Sequence, residues 1–131
     1  MGANIKTDSR VLFAEISGEL DHHQAERLRT QIDAAYDKSS CRHIILNMAG
    51  VDFMDSSGIG MIIGRYKNTE KRGGKLILAQ MSEHVTKLFE ISGLAKIIKR
   101  AASTEDALNI LNCKNATGSA NKLLGGASNG K

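Results

Sequence analysis

Two adjacent hydroxyls stand behind a carboxylate in Asp55-Ser56-Ser57-Gly58, where a β-like run gives way to a helix-like one. The run before it, His43 to Met48, is almost continuously apolar, and the run after it, Ile59 to Lys71, repeats at helical spacing. A helix start exposes backbone N–H groups without intrahelical partners and carries a partial positive charge. A hydroxyl placed there can cap the helix, bind an anion or carry a phosphate. The plain alternative is a capping cluster that starts a helix and does nothing more. One hydroxyl suffices for a cap, however, so the second is spare. Gly58, Gly60 and Gly64 follow, and each weakens a helix by about 1 kcal/mol relative to alanine. Something must offset them, either close packing of helix on sheet or a bare surface that a partner can approach. We read Ser57 as a phosphorylation switch on a binding surface.

Other chemistries fit less well. The three glycines miss the last position of the dinucleotide pattern G-x-G-x-x-G by one residue. His22, His23, Cys41, His43 and His84 supply donor atoms, but no Cys-x-x-Cys or His-x-x-x-His spacing occurs, so no metal is expected. These histidines read as surface or capping residues. A serine hydrolase wants a G-x-S-x-G elbow, which is missing, and no base stands at readable spacing from either serine. The chain is therefore expected to be no enzyme and to need no cofactor.

The elements that must hold the turn follow from the rest of the chain. With 131 residues it suits one domain with its own core. Aromatics make up only 4%, so aliphatic side chains must fill that core, and with no proline the turns fall to Gly, Asp, Asn and Ser. A net charge of +4 is mild. Its basic residues read as solvated helix faces, and the stacking aromatics of a nucleic-acid binder are missing. Two cysteines make no disulfide framework, and no apolar run reaches membrane-spanning length. The expected setting is cytoplasmic, away from membranes and nucleic acid.

Asn4 to Thr7 and Val11 to Ser17 predict a hairpin turning at Asp8-Ser9. Gly18 to Asp21 reads as a loop whose aspartate caps a helix over His22 to Lys38. His43 to Met48 reads as a strand covered on both faces. The helix after the serines should bury Ile59, Ile62, Ile63 and Tyr66, and Gly73-Gly74 stops it. Lys75 to Ala79 is a further buried strand. Ser82 opens a third helix that buries Val85, Leu88 and Phe89 and closes at Gly93. Ile97-Ile98 is predicted as the last strand, and Ser103 starts a fourth helix with Ala107, Leu108 and Leu111 inward. Alternating strands and helices argue an α/β fold with parallel pairing at its centre, and sites in such sheets lie beyond the strand carboxyl ends. From Cys113 the pattern fails, so residues 1–112 are read as the domain and 113–131 as a disordered tail.

Several of these segments together resemble a known family. Gly18-Glu19-Leu20-Asp21, His43-Ile44-Ile45-Leu46-Asn47, Phe53-Met54-Asp55-Ser56-Ser57-Gly58-Ile59-Gly60, Gly64-Arg65-Tyr66-Lys67 and Leu88 to Leu94 are similar to the STAS-domain anti-sigma factor antagonists, above all those of sporulation in spore-forming bacilli. The resemblance runs from about residue 4 to 112. It implies a central mixed sheet of four to five strands with about four helices. It also implies a mechanism. The antagonist binds an anti-sigma factor that is also a serine kinase, and so releases a sporulation sigma factor. The kinase phosphorylates the second serine of the turn, Ser57 here, and the complex dissociates. A PP2C-type phosphatase restores the hydroxyl. Asp21, Asp55, Ser56, Ser57 and Gly58 are the partner-binding residues that the resemblance implies. The alternative is a STAS module that senses a nucleotide or other small anion at the same helix start.

Overall fold

The computed structural model of the chain describes residues 2–111. Five strands form one mixed sheet: β1 (Gly2–Asp8), β2 (Val11–Leu20), β3 (His43–Met54), β4 (Leu76–Ala79) and β5 (Lys99–Ala101). Four helices connect or cover them: α1 (His22–Lys38), α2 (Ser56–Lys71), α3 (Glu83–Ile91) and α4 (Thr104–Leu111). A 3-10 turn over Leu94–Lys96 follows α3. Neighbours in the sheet are neighbours in sequence, in the order β1-β2-β3-β4-β5. β1 is antiparallel to β2, and every other pairing is parallel.

A parallel sheet that grows in one direction with crossovers of one hand must put its connecting helices on one face. α1, α2 and α3 accordingly bury Leu28, Ile32, Met61, Ile62, Val85 and Phe89 with Leu12, Ala14, Leu46 and Leu78 from the sheet. α4 covers part of the opposite face, where Ala107, Leu108 and Leu111 pack on Val11, Ile45 and Ile77. The alternation of Ile44, Ile45 and Leu46 between these two cores is the two-residue period of a strand buried on both sides.

The fold class is the expected one, and the differences lie in the elements. The hairpin turns at Ser9-Arg10, with Ser9 left-handed at φ 54°, because Asp8 still pairs with Val11. Gly18 to Leu20, expected as a loop, continues β2; Gly18 sits at φ 94° beside a register shift and keeps the strand going through it. β3 runs six residues beyond its predicted end at Met48. Past Met48 its buried residues are Val51 and Met54, a three-residue spacing that does not read as a strand. Two shifts of register against β2 create that spacing. The last strand is Lys99–Ala101 rather than Ile97-Ile98. Ile98 closes the turn after α3 through its N–H to Leu94 O, and the real strand is an exposed edge that needs no apolar pattern. The tail expected from residue 113 lies outside the described residues.

Candidate functional site

Parallel pairing brings the ends of β2 and β3 level, with Leu20 beside Met54. The next residue on each strand is an aspartate, and each begins a helix. Asp21 Oδ1 accepts the Gln24 N–H at 3.0 Å and caps α1. Asp55 Oδ1 accepts the Ser57 N–H at 2.9 Å and caps α2. Two helix starts thus stand side by side at the carboxyl edge of the sheet, where the topology places a site. Asp21 caps α1 as expected. The cap of α2 is a carboxylate, so neither serine hydroxyl is needed to start the helix.

Ser56 is exposed, and Ser57 is half-buried and open to solvent. Gly58 faces inward. A Cβ there would stand 2.5 Å from Met54 Cγ and 3.0 Å from Leu20 Cγ, closer than side chains approach. Gly58 therefore sets how tightly α2 seats on the strand ends, and so the height of Ser57 above the sheet. Gly60 and Gly64 differ: a Cβ at either would meet nothing within 4 Å. Gly58 thus shows the close packing foreseen for the glycines, while Gly60 and Gly64 leave a bare strip on α2.

Ser57 Oγ lies 3.5 Å from His22 Nδ1 at the first residue of α1. The two residues are 35 apart in sequence, so no local spacing could reveal the pair; the level strand ends create it. Beside the turn, Phe53 stays 41% exposed. Its ring stacks on His84 at 6.5 Å between centroids, adding an apolar ledge that sequence reading left out.

The two helices are tied along their length, which fixes the spacing of their starts. Arg65 of α2 is only 5% exposed. Its Nε lies 3.0 Å from Asp33 Oδ1 of α1, and Asn68 donates to the same oxygen at 3.1 Å. Arg72, just past α2, stacks 3.9 Å over the Tyr36 ring and donates to the Tyr36 and Cys41 carbonyls at 3.0 and 2.8 Å. The buried face of α2 is accordingly Gly58, Met61, Ile62, Arg65 and Thr69; the predicted Ile59, Ile63 and Tyr66 are only partly buried. Of the glycines only Gly58 turns toward the sheet, and Asp33 makes room for a buried arginine. Among the described residues, no three His, Cys, Asp or Glu side chains are grouped so as to hold a metal ion. None of the helices there is long and apolar enough to cross a membrane.

The STAS domain profile matches residues 2–107. The anti-sigma F factor antagonist of Paenibacillus polymyxa is 43% identical over 88 residues, 67% of this chain and 75% of that protein. The unphosphorylated form of the anti-sigma factor antagonist SpoIIAA superposes with a TM-score of 0.75 at 32% identity, covering 85% of this chain and 96% of that one. The phosphorylated form of the Bacillus cell-fate determinant SpoIIAA gives 0.66 at 32% identity, over 83% of this chain and 98% of that one. Fold, turn and relatives agree, and the chain belongs to the STAS-domain family, among its anti-sigma factor antagonists.

Proposed function

We propose that this antagonist docks on an anti-sigma factor serine kinase through the twin helix starts, and that a phosphate on Ser57 ends the complex. Docking frees a sporulation sigma factor. The terminal phosphoryl group of ATP passes to Ser57 Oγ, ADP leaves with the bridging oxygen, and the hydroxyl proton is released. A PP2C-type phosphatase returns the hydroxyl in a cytoplasmic cycle. Asp21, Asp55, Ser56 and Ser57 form the contact surface, with Gly58 setting its height. The observation that carries this reading is Ser57 itself: open to solvent, not needed as a cap, and set in the first turn of α2, at the positive end of the helix. The solved SpoIIAA relatives, described in phosphorylated and unphosphorylated forms, support it.

The physics says which kind of switch this is. A phosphoserine adds about −1.5 to −2 charges, which a helix N-terminus tolerates. The scaffold should then barely respond, and the effect must fall on the interface. A partner carboxylate or nucleotide phosphate about 6 Å away would be repelled by roughly 5 kcal/mol before screening, at an effective dielectric near 20. Even half of that weakens binding nearly a hundredfold, since about 1.4 kcal/mol is tenfold. The test is a pull-down with the unphosphorylated chain and the kinase, repeated after ATP is added. Capture followed by release, with mass spectrometry placing the phosphate on Ser57, is the expected result. A phosphate on Ser56 would reverse the assignment. Tight, saturable nucleotide binding by the chain alone would favour a ligand sensor instead.

A further inference from the structure

Neither helix needs an imidazole beside Ser57, because Asp21 caps α1 and Asp55 caps α2. Yet His22 Nδ1 lies 3.5 Å from Ser57 Oγ, across the gap between the two helix starts. We propose that His22 is the positioning residue for the phosphoryl group on Ser57. It shares a proton with the free hydroxyl, and it takes a second one from solvent to hold the phosphate as an imidazolium. The inference rests on the reading of Ser57 as the modified residue.

The proton count leads to this assignment. With a free hydroxyl, one proton lies between oxygen and nitrogen, and the neutral ring suffices in either tautomer. A phosphate dianion brings only acceptors, so Nδ1 must donate, and it donates more strongly from a charged ring. The other groups around the pair do not do this work. Asp21 and Asp55 are carboxylates and repel the phosphate. Glu26, one turn along α1, is held below its usual carboxyl range first by the Arg29 hydrogen bond and charge, and only last by His22. Its Oε1 is 2.7 Å from Arg29 Nη2, so it already has a cation. His23, the next residue of α1, is the natural control. Phosphorylation would then take up a proton, and the charge that evicts the partner would depend on pH. At lower pH the imidazolium masks part of the phosphate; at higher pH the bare dianion faces the partner.

The test uses the full chain with phosphoserine installed at position 57 during translation, so that no kinase is involved. Imidazole 15N spectra and phosphorus spectra are followed against pH at low ionic strength. The titration midpoint of the His22 ring should move up by about one pH unit when Ser57 carries phosphate, as expected for an opposite charge within hydrogen-bonding reach. His23 should move much less. In His22→Asn the phosphorus midpoint should rise by a similar amount, because the coupling is reciprocal. His23→Asn should leave it in place. Circular dichroism checks that both variants fold. A His22 shift no larger than that of His23, or a phosphorus curve indifferent to His22→Asn, overturns the proposal. Neither result touches the switch itself, which is judged by where the kinase puts the phosphate.

Discussion

A hydroxyl and a phosphate at position 57 differ by charge far more than by shape, so substitutions there should separate binding from folding. Ser57→Ala should keep the partner and lose the phosphate. Ser57→Asp should weaken capture in the pull-down by tenfold or more, while its circular dichroism stays that of the parent. If Ser57→Asp unfolds the chain, the switch mechanism fails. A second residue reports on pH. His43 Nδ1 accepts the Lys75 N–H at 3.0 Å, which requires that nitrogen to be unprotonated. Burial, aided by Arg10, Lys75 and Arg42, pushes its titration below the ordinary imidazole value of 6.5. The unfolded chain then binds this proton more readily than the folded one. The stability His43 contributes is complete above about pH 6.5 and fades as pH falls toward the folded value. Melting temperature should therefore drop on acidification in that window, and His43→Gln should flatten the slope. The cap at Asp21 and the helix start at the paired serines are legible in the sequence because caps and hydroxyls obey local rules. It hides the contact of Ser57 with His22 because that contact depends on two strands ending level.

The helices carry predictions of opposite sign within a few residues of one another. Gly58→Ala drives a methyl into Leu20 and Met54 and should destabilise the chain by about 1–3 kcal/mol, as overpacked sites do. Gly60→Ala meets open space and should stabilise it by up to about 1 kcal/mol through helix propensity alone. Denaturant midpoints decide both. If the bare strip of α2 is where the partner approaches, the stabilised Gly60→Ala chain should be captured more weakly. The α1–α2 tie gives a third case. Asp33→Ala strands Arg65 in the core; because Asp33 keeps some contact with water, the loss should be on the order of 2 kcal/mol rather than the larger value of a fully buried pair. An unchanged midpoint would mean that Arg65 finds other partners. Helix limits were readable from caps, and α1 spans the predicted residues. The buried side of α2 was not, because an arginine reads as surface until Asp33 is in place, and a threonine until its hydroxyl donates to the Tyr66 carbonyl.

For the molecule as a whole, the sheet order would let the proposed charge at Ser57 act without global rearrangement. The phosphate would sit at the edge of the sheet, while both cores lie along its faces. Phosphorylated and free chains should melt within a few degrees of each other and differ in backbone spectra only around positions 21 to 24 and 54 to 60. A broad spectral change would contradict the rigid-scaffold reading. Strand and helix alternation made the α/β class legible from the chain alone. The length of β3 was not, and that length matters most for the proposed switch. β2 crosses the sheet in ten residues and β3 takes twelve over the same paired stretch. The two surplus residues are spacers that trim one ledge to the height of the other. Removing one would raise or lower a ledge by about 3.3 Å. The hydroxyl and the ring facing it would then miss each other, though no residue that touches either had changed.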